Sequence, residues 1–181
     1  APKKVSDGDQ FSAKTLVLPG VGAAKNYITQ IKLKRLHEAI DEHLKAGGRI
    51  VGICLGFQAL FEHTEEDGGV EMLGLIKGKV CCLEHSRSHT TWEEQSFDLR
   101  DYNLNKTWKS HNLSKKKKFS GRLFYNHKYA VLNEDTCDMH VRIPGDLSPY
   151  ASMMVKDAIL GFQFHPEKSQ LSGKQLMELL W

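Results

Sequence analysis

Cys54, His165 and Glu167 have the types and setting for nucleophilic catalysis. Cys54 lies in Gly52-Ile53-Cys54-Leu55-Gly56. Gly-x-nucleophile-x-Gly is the pattern of a strained strand-to-helix turn that lifts its central side chain above a sheet. Small flanking residues let helix and strand approach closely. A cysteine at a helix N-terminus meets unpaired N–H groups and the positive end of the helix dipole, which favour thiolate over thiol. Alone, such a cysteine also fits a small buried hydrophobe. His165-Pro166-Glu167 directly follows an apolar run. The proline pushes His165 toward extended backbone. Side chains two apart in extended chain lie on one side, so Glu167 can orient the imidazole while its other nitrogen faces a nucleophile. An isolated His-Pro-Glu is more often a surface turn, and its meaning comes from sharing a chain with the elbow cysteine.

The roles follow from the chemistry. Cys54 attacks as thiolate, His165 takes the proton and returns it to the leaving group, and Glu167 holds the tautomer. The developing oxyanion needs two donors. The amide of Leu55 is the natural first one, and an amide from Gly20, Val21 or Gly22 the second.

These residues need a scaffold. Ile50, Val51 and Ile53 predict a strand buried on both faces, and Leu55, Ala59 and Leu60 predict an amphipathic helix after the turn. Thr15 to Leu18 reads as a strand ending in Pro19-Gly20-Val21-Gly22. Leu33, Leu36, Ile40 and Leu44 mark one face of a helix closed by Gly47-Gly48. This is the βαβ rhythm of a parallel sheet covered by helices. Asp67-Gly68-Gly69 is a turn, Leu73 to Leu83 a strand or two, and Leu123 to Leu132 a strand or strand pair. Met153 to Phe164 predicts a hairpin around Lys156-Asp157 that delivers His165, and Gly173 to Trp181 a terminal helix. Ala1 to Lys14 carries no clear element, Glu84 to Gly121 is the least legible part, and the run Lys115 to Lys118 reads as a solvated loop.

At 181 residues the chain, 1–181, is expected to form a single α/β domain. Its 25 basic and 22 acidic side chains leave a net charge of +3, too little to argue for nucleic acid. No apolar run approaches membrane-spanning length, and the opening residues do not read as a signal peptide. The expectation is a cytoplasmic protein with no membrane contact. Cys54, Cys81, Cys82 and Cys137 contain no Cys-x-x-Cys pair, and the remaining histidines lack ligand spacing, so neither a metal, a cofactor nor a disulfide framework is expected. Cys81, Cys82 and Cys137 read as inert.

PGVGAA, GICLGFQALFEHTEE, MLGLIKGKV and GFQFHPEKSQ resemble, in order, blocks of the class I glutamine amidotransferases. Within that family they are similar to the glutaminase subunits of imidazole glycerol phosphate synthases, the enzymes of histidine biosynthesis. The resemblance implies an open, mostly parallel sheet with helices on both faces. It implies hydrolysis of L-glutamine through a thioester on Cys54, with ammonia passed to a (β/α)₈-barrel synthase as heterodimer partner. It carries Gln58 and Glu66 over as residues that hold glutamine, and His127, Lys128 and Tyr129 as a segment lining its pocket. Gly20, Val21 and Gly22 match the oxyanion strand, and Trp92 and Lys168 fall at the partner surface. The family's opening strand and helix find no match before Thr15, so that part is expected to be missing. His89-Thr90-Thr91-Trp92-Glu93 echoes the family's interface turn only weakly, and Lys128 stands where serine is usual. These departures leave alternatives open: a paralogous subunit in surface-polysaccharide sugar biosynthesis, another cysteine hydrolase, or a catalytically silent interaction protein.

Overall fold

The computed structural model describes residues 4, 13–83, 88–98, 118–132, 139–141 and 150–180. In chain order the elements are β1 (Thr15–Leu18), α1 (Ala24–Leu33), α2 (Leu36–Lys45), β2 (Arg49–Ile53), α3 (Leu55–Gln58), β3 (His63–Thr64), β4 (Val70–Glu71), β5 (Lys79–Cys82), β6 (His89–Asp98), β7 (Lys118–His127), β8 (Tyr129–Val131), β9 (Met139–Val141), β10 (Tyr150–Lys156), β11 (Ile159–Phe162) and α4 (Gln170–Leu180). One-turn 3₁₀ segments occupy Glu66–Gly68 and Pro166–Lys168. The expectations for most of residues 1–12, Trp108, Lys115 to Lys117, Cys137 and Trp181 lie outside the described residues.

The central sheet runs β1-β2-β11-β10-β9. It is parallel where it carries the elbow, β1 to β2 and β2 to β11, and antiparallel from β11 through β10 to β9. The predicted hairpin turns at Asp157, which takes a left-handed φ of 51°. Its β-rich arms put β11 against β2, so the strand leading to His165 runs beside the strand leading to Cys54.

The period-two alternation of β2 sorts its side chains between two cores. Ile50 packs with Ile40 of α2, Phe57 of α3 and Ile159. Val51 and Ile53 pack on the opposite face with Leu160, Phe162, Leu123, Tyr125 and Leu176 of α4. Gly52 lies between them in sequence and lets α3 pack directly on the strand. A Cβ there would lie 2.7 Å from the Cα of Phe57 and 2.9 Å from the carbonyl oxygen of Gly56. A smaller sheet, β4-β3-β5-β8, extends from the elbow side, and β6 and β7 form a long antiparallel ribbon from His89↔His127 to Asp98↔Lys118.

Two local expectations are corrected and a third is narrowed. The helix after Cys54 is a single α-turn, Leu55–Gln58, tightened by 3₁₀-type bonds from Leu60 to Phe57 and from Phe61 to Gln58. Every residue from Leu55 to Phe61 is buried, so it is not amphipathic: α1 covers one side and the sheet the other. The single helix predicted through Leu33 and Leu44 is two helices, broken at Arg35 with φ 54°. Leu33 is exposed, while Ile28, Ile31, Ala39 and Ile40 make the buried face. From Leu73 to Leu83 only Lys79–Cys82 is strand, because the preceding segment turns back through Gly74 and Gly78, both at positive φ.

Candidate active site

Cys54 takes φ 52° and ψ −113°, a conformation that costs a non-glycine residue on the order of 1–3 kcal/mol and persists only where the surroundings impose it. Those surroundings are visible. The Cys54 N–H donates to the Phe162 carbonyl at 2.7 Å, and its own carbonyl accepts from the N–H groups of Phe57 and Gln58, both at 3.0 Å. The β1 loop lies directly on the turn. A Cβ on Gly20 would sit 2.7 Å from Leu55 Cβ, so only glycine lets Gly20 to Gly22 approach the helix after Cys54 this closely. Gly22 has φ 102°, and Val21 is 76% exposed at the rim.

The neighbouring strand, β11, leads to His165. His165 has φ −106° and ψ 91°, the extended geometry that the following proline favours. Its backbone is tied to β7: the N–H donates to the Phe124 carbonyl at 2.8 Å. The Ser169 hydroxyl donates to the His165 carbonyl at 2.6 Å and accepts from the Phe124 N–H at 3.0 Å. The imidazole is buried, and its Nδ1 lies 2.7 Å from Oε1 of the half-exposed Glu167. A carboxylate acceptor places the ring proton on Nδ1 and leaves Nε2 with the lone pair a general base needs.

The electrostatics correct the thiolate expectation. Burial pushes the Cys54 thiol up to about 11. The Leu55 backbone N–H pulls it down, Glu167 and Glu66 add to the rise, and Lys168 opposes them. A one-turn helix has too few aligned peptides to offset desolvation of a buried charge. Cys54 therefore rests as a thiol.

The other predicted residues fall into three groups. Glu66 stands on the turn facing the start of α1, its carboxyl raised by half-burial and by Asp67 and lowered by the Ala24 N–H. Gln58 is buried and its amide nitrogen is committed to the protein, 2.7 Å from the Tyr129 carbonyl and 3.1 Å from Gln163 Oε1. His127 is buried too, donating from Nδ1 to the Tyr129 carbonyl at 3.0 Å with Nε2 3.3 Å from His89 Nδ1. Burial first, then His89, hold the His127 imidazole well below the ordinary histidine range. Lys128 is exposed, with Nζ 6.0 Å from the Tyr129 ring centroid. Lys168 is exposed beside Glu167. Trp92 is half-buried against Phe124, ring centroids 5.4 Å apart, and Phe124 in turn lies 6.2 Å from the His165 ring.

Two features escaped sequence reasoning. His89 is a buried junction that meets Glu93 Oε1 at 3.1 Å and the Tyr150 hydroxyl at 2.7 Å. Gln163 is wholly buried within 3.9 Å of the Cys54 sulfur. The signal for Gln163 was a lone amide inside the apolar run 158–164. Among the described residues no group of three or more His, Cys, Asp or Glu could hold a metal ion, and no helix is long and apolar enough to cross a membrane.

The family described as glutamine amidotransferase class-I matches residues 6–179. The imidazole glycerol phosphate synthase subunit HisH of Sulfurimonas denitrificans is 35% identical over 178 residues, 98% of this chain and 81% of that protein. The subunits of the same name from Helicobacter hepaticus and Thermotoga maritima are 33% and 34% identical over 97% and 90% of this chain, covering 76% and 73% of their own lengths. Among solved structures, PurLQS from Thermotoga maritima superposes with a TM-score of 0.65 at 16% identity, covering 99% of this chain and 84% of that one. A structure described as a glutamine amidotransferase gives 0.62 at 15% identity, covering 98% and 84%. At such identities the structures speak for the fold alone.

Proposed function

The chain belongs to the class I glutamine amidotransferases, and from that premise we propose that it is the glutaminase subunit of an imidazole glycerol phosphate synthase, acting in the cytoplasm in histidine biosynthesis. The observation that carries the mechanism is a strained elbow cysteine at the end of β2, paired with the strand that leads to a histidine whose ring is fixed by a carboxylate 2.7 Å away. The likeness to the HisH subunits over nearly the whole chain supports the choice of pathway.

His165 Nε2 takes the thiol proton as Sγ attacks the carboxamide carbon of L-glutamine, forming the S–C bond. Electrons of the C=O move to oxygen, where the Leu55 N–H and an amide of the Gly20 to Gly22 loop donate. The intermediate collapses, the C–N bond breaks, and the proton on His165 passes to the leaving nitrogen, releasing ammonia. Water, activated by the same imidazole, cleaves the thioester to L-glutamate and restores the thiol. Glu167 keeps the tautomer throughout, and Glu66 faces the substrate's α-amino group. Ammonia in bulk water is protonated and lost as a nucleophile, so a docked (β/α)₈-barrel partner receiving it directly is part of the reading. A thiol at about 11 is almost entirely protonated near neutrality, which suits a subunit that is slow until its partner docks near Trp92 and Lys168.

The test is glutamine hydrolysis with and without the purified barrel subunit, repeated with Cys54→Ala. Stimulation by the partner and a loss of at least about 10³-fold in the variant are expected for removal of a nucleophile. Hydrolysis that survives Cys54→Ala would refute the mechanism, and stimulation by a different synthase instead would refute the pathway.

A further inference from the structure

We propose that Gln163 is a further catalytic residue, whose side-chain amide donates to the Cys54 sulfur and stabilises it as negative charge develops. The proposal rests on Cys54 being the nucleophile.

The orientation of the Gln163 amide is forced by its partners. The Tyr129 carbonyl can only accept, so Gln58 must present its NH₂ group there, at 2.7 Å. That nitrogen carries a second hydrogen, and Gln163 Oε1 lies 3.1 Å away to receive it. With its oxygen tied to Gln58, Gln163 can turn only its NH₂ toward Cys54, and Nε2 stands 3.9 Å from Sγ. Reversing the amide would set NH₂ against NH₂ at Gln58 and an oxygen against the sulfur. The side chain is fully buried, and its backbone N–H is fixed to the Ser152 carbonyl at 2.9 Å. No solvent competes for the donor, and the amide is already turned to the sulfur before it ionises.

This donor acts where the site is least favourable to a thiolate. Burial opposes the charge, and Glu167 and Glu66 add to the opposition. The Leu55 N–H works on the sulfur from the turn, and the Gln163 amide reaches it from the end of β11. Hydrogen bonds to a charged acceptor are about twice as strong as neutral ones, so losing this one is expected to slow thiolate chemistry about tenfold.

The experiment measures iodoacetamide alkylation of Cys54, resolved from the other cysteines by peptide mass spectrometry, between about pH 7 and 10. Native protein is compared with Gln163→Glu, which keeps the shape and the acceptor for Gln58, and Gln163→Met, which is apolar and uncharged. Melting temperature is followed alongside. Both variants are expected to alkylate about tenfold more slowly at every pH, and kcat for glutamine is expected to fall about tenfold with KM within about threefold. Alkylation matching the native rate in either folded variant overturns the proposal, as does a loss carried by KM alone. Should either variant fail to fold, the other decides alone. Alkylation requires no glutamine, so a slower profile in a protein without glutaminase activity would sink the functional reading and leave the role of Gln163 standing.

Discussion

Replacing Gly52 by alanine tests whether the elbow depends on bare contact between strand and helix. The added Cβ would lie 2.7 Å from Phe57 Cα, 2.9 Å from the Gly56 carbonyl oxygen and 2.9 Å from Leu60 Cδ1. Ordinary contact begins at 3.4 Å, so α3 must retreat from β2 by 3.4 − 2.7 = 0.7 Å. Two of the three neighbours are backbone and cannot rotate away. Alanine reduces the freedom of the unfolded chain, a gain of about 0.4–1 kcal/mol. Overpacking against backbone costs about 1–3 kcal/mol or more, so the expected net loss is about 1–2 kcal/mol. Activity should suffer more than stability, because Cys54 immediately precedes α3 and a 1 Å misplacement can cost on the order of 10²-fold. The assay is a urea unfolding curve with glutamine hydrolysis measured in the presence of the partner.

A paired comparison sharpens this. At Gly161 a Cβ would instead overlap the ring of Phe57, a side chain rather than backbone. Phe57→Leu is therefore expected to rescue Gly161→Ala, with a coupling energy of about 0.5–3 kcal/mol, and not to rescue Gly52→Ala, whose contact is with the Phe57 Cα that leucine retains. A neutral Gly52→Ala, or its rescue by Phe57→Leu, would falsify the proposed backbone contact.

Glu167→Gln removes the carboxylate 2.7 Å from His165 Nδ1, and the steady-state kcat for glutamine is expected to fall about 10²-fold with KM little changed. Activity within threefold of native would mean the imidazole is held without it. His127 makes stability sensitive to acid. Its folded-state pKa lies below the ordinary 6.5, so the unfolded chain binds the proton first as pH falls. The contribution is complete above about pH 6.5 and is lost below it, so the melting temperature should drop between about pH 7 and 5. His127→Asn retains a donor for the Tyr129 carbonyl without the titration and should flatten that slope; an unchanged slope rules the assignment out.

The sequence by itself determined the features written in short-range pattern. Alternation and β-branching placed β2, the turn at Lys156-Asp157 placed the β10–β11 hairpin, and the proline after His165 set its backbone. Gly52 and Gly56 announced a strained turn, and Cys54 indeed has positive φ. The match to the amidotransferase family could be seen in four short blocks because each block is a contiguous run of the chain.

What tertiary structure decided were properties set by burial and by partners far apart in sequence. The thiol of Cys54 is raised because the fold desolvates it, which outweighs the helix-end effect that local sequence suggests. Leu33 fits the helical period, but the chain breaks at Arg35 and leaves it in solvent. Leu123 onward announced a strand of the β6–β7 ribbon, but β6 was illegible because pairing fixes its register in a segment with no short-range signal. Gln163 sits 109 positions from Cys54 and 105 from Gln58. Its role depends on which end of an amide faces sulfur, a choice made by the Tyr129 carbonyl through Gln58 and carried by no local pattern.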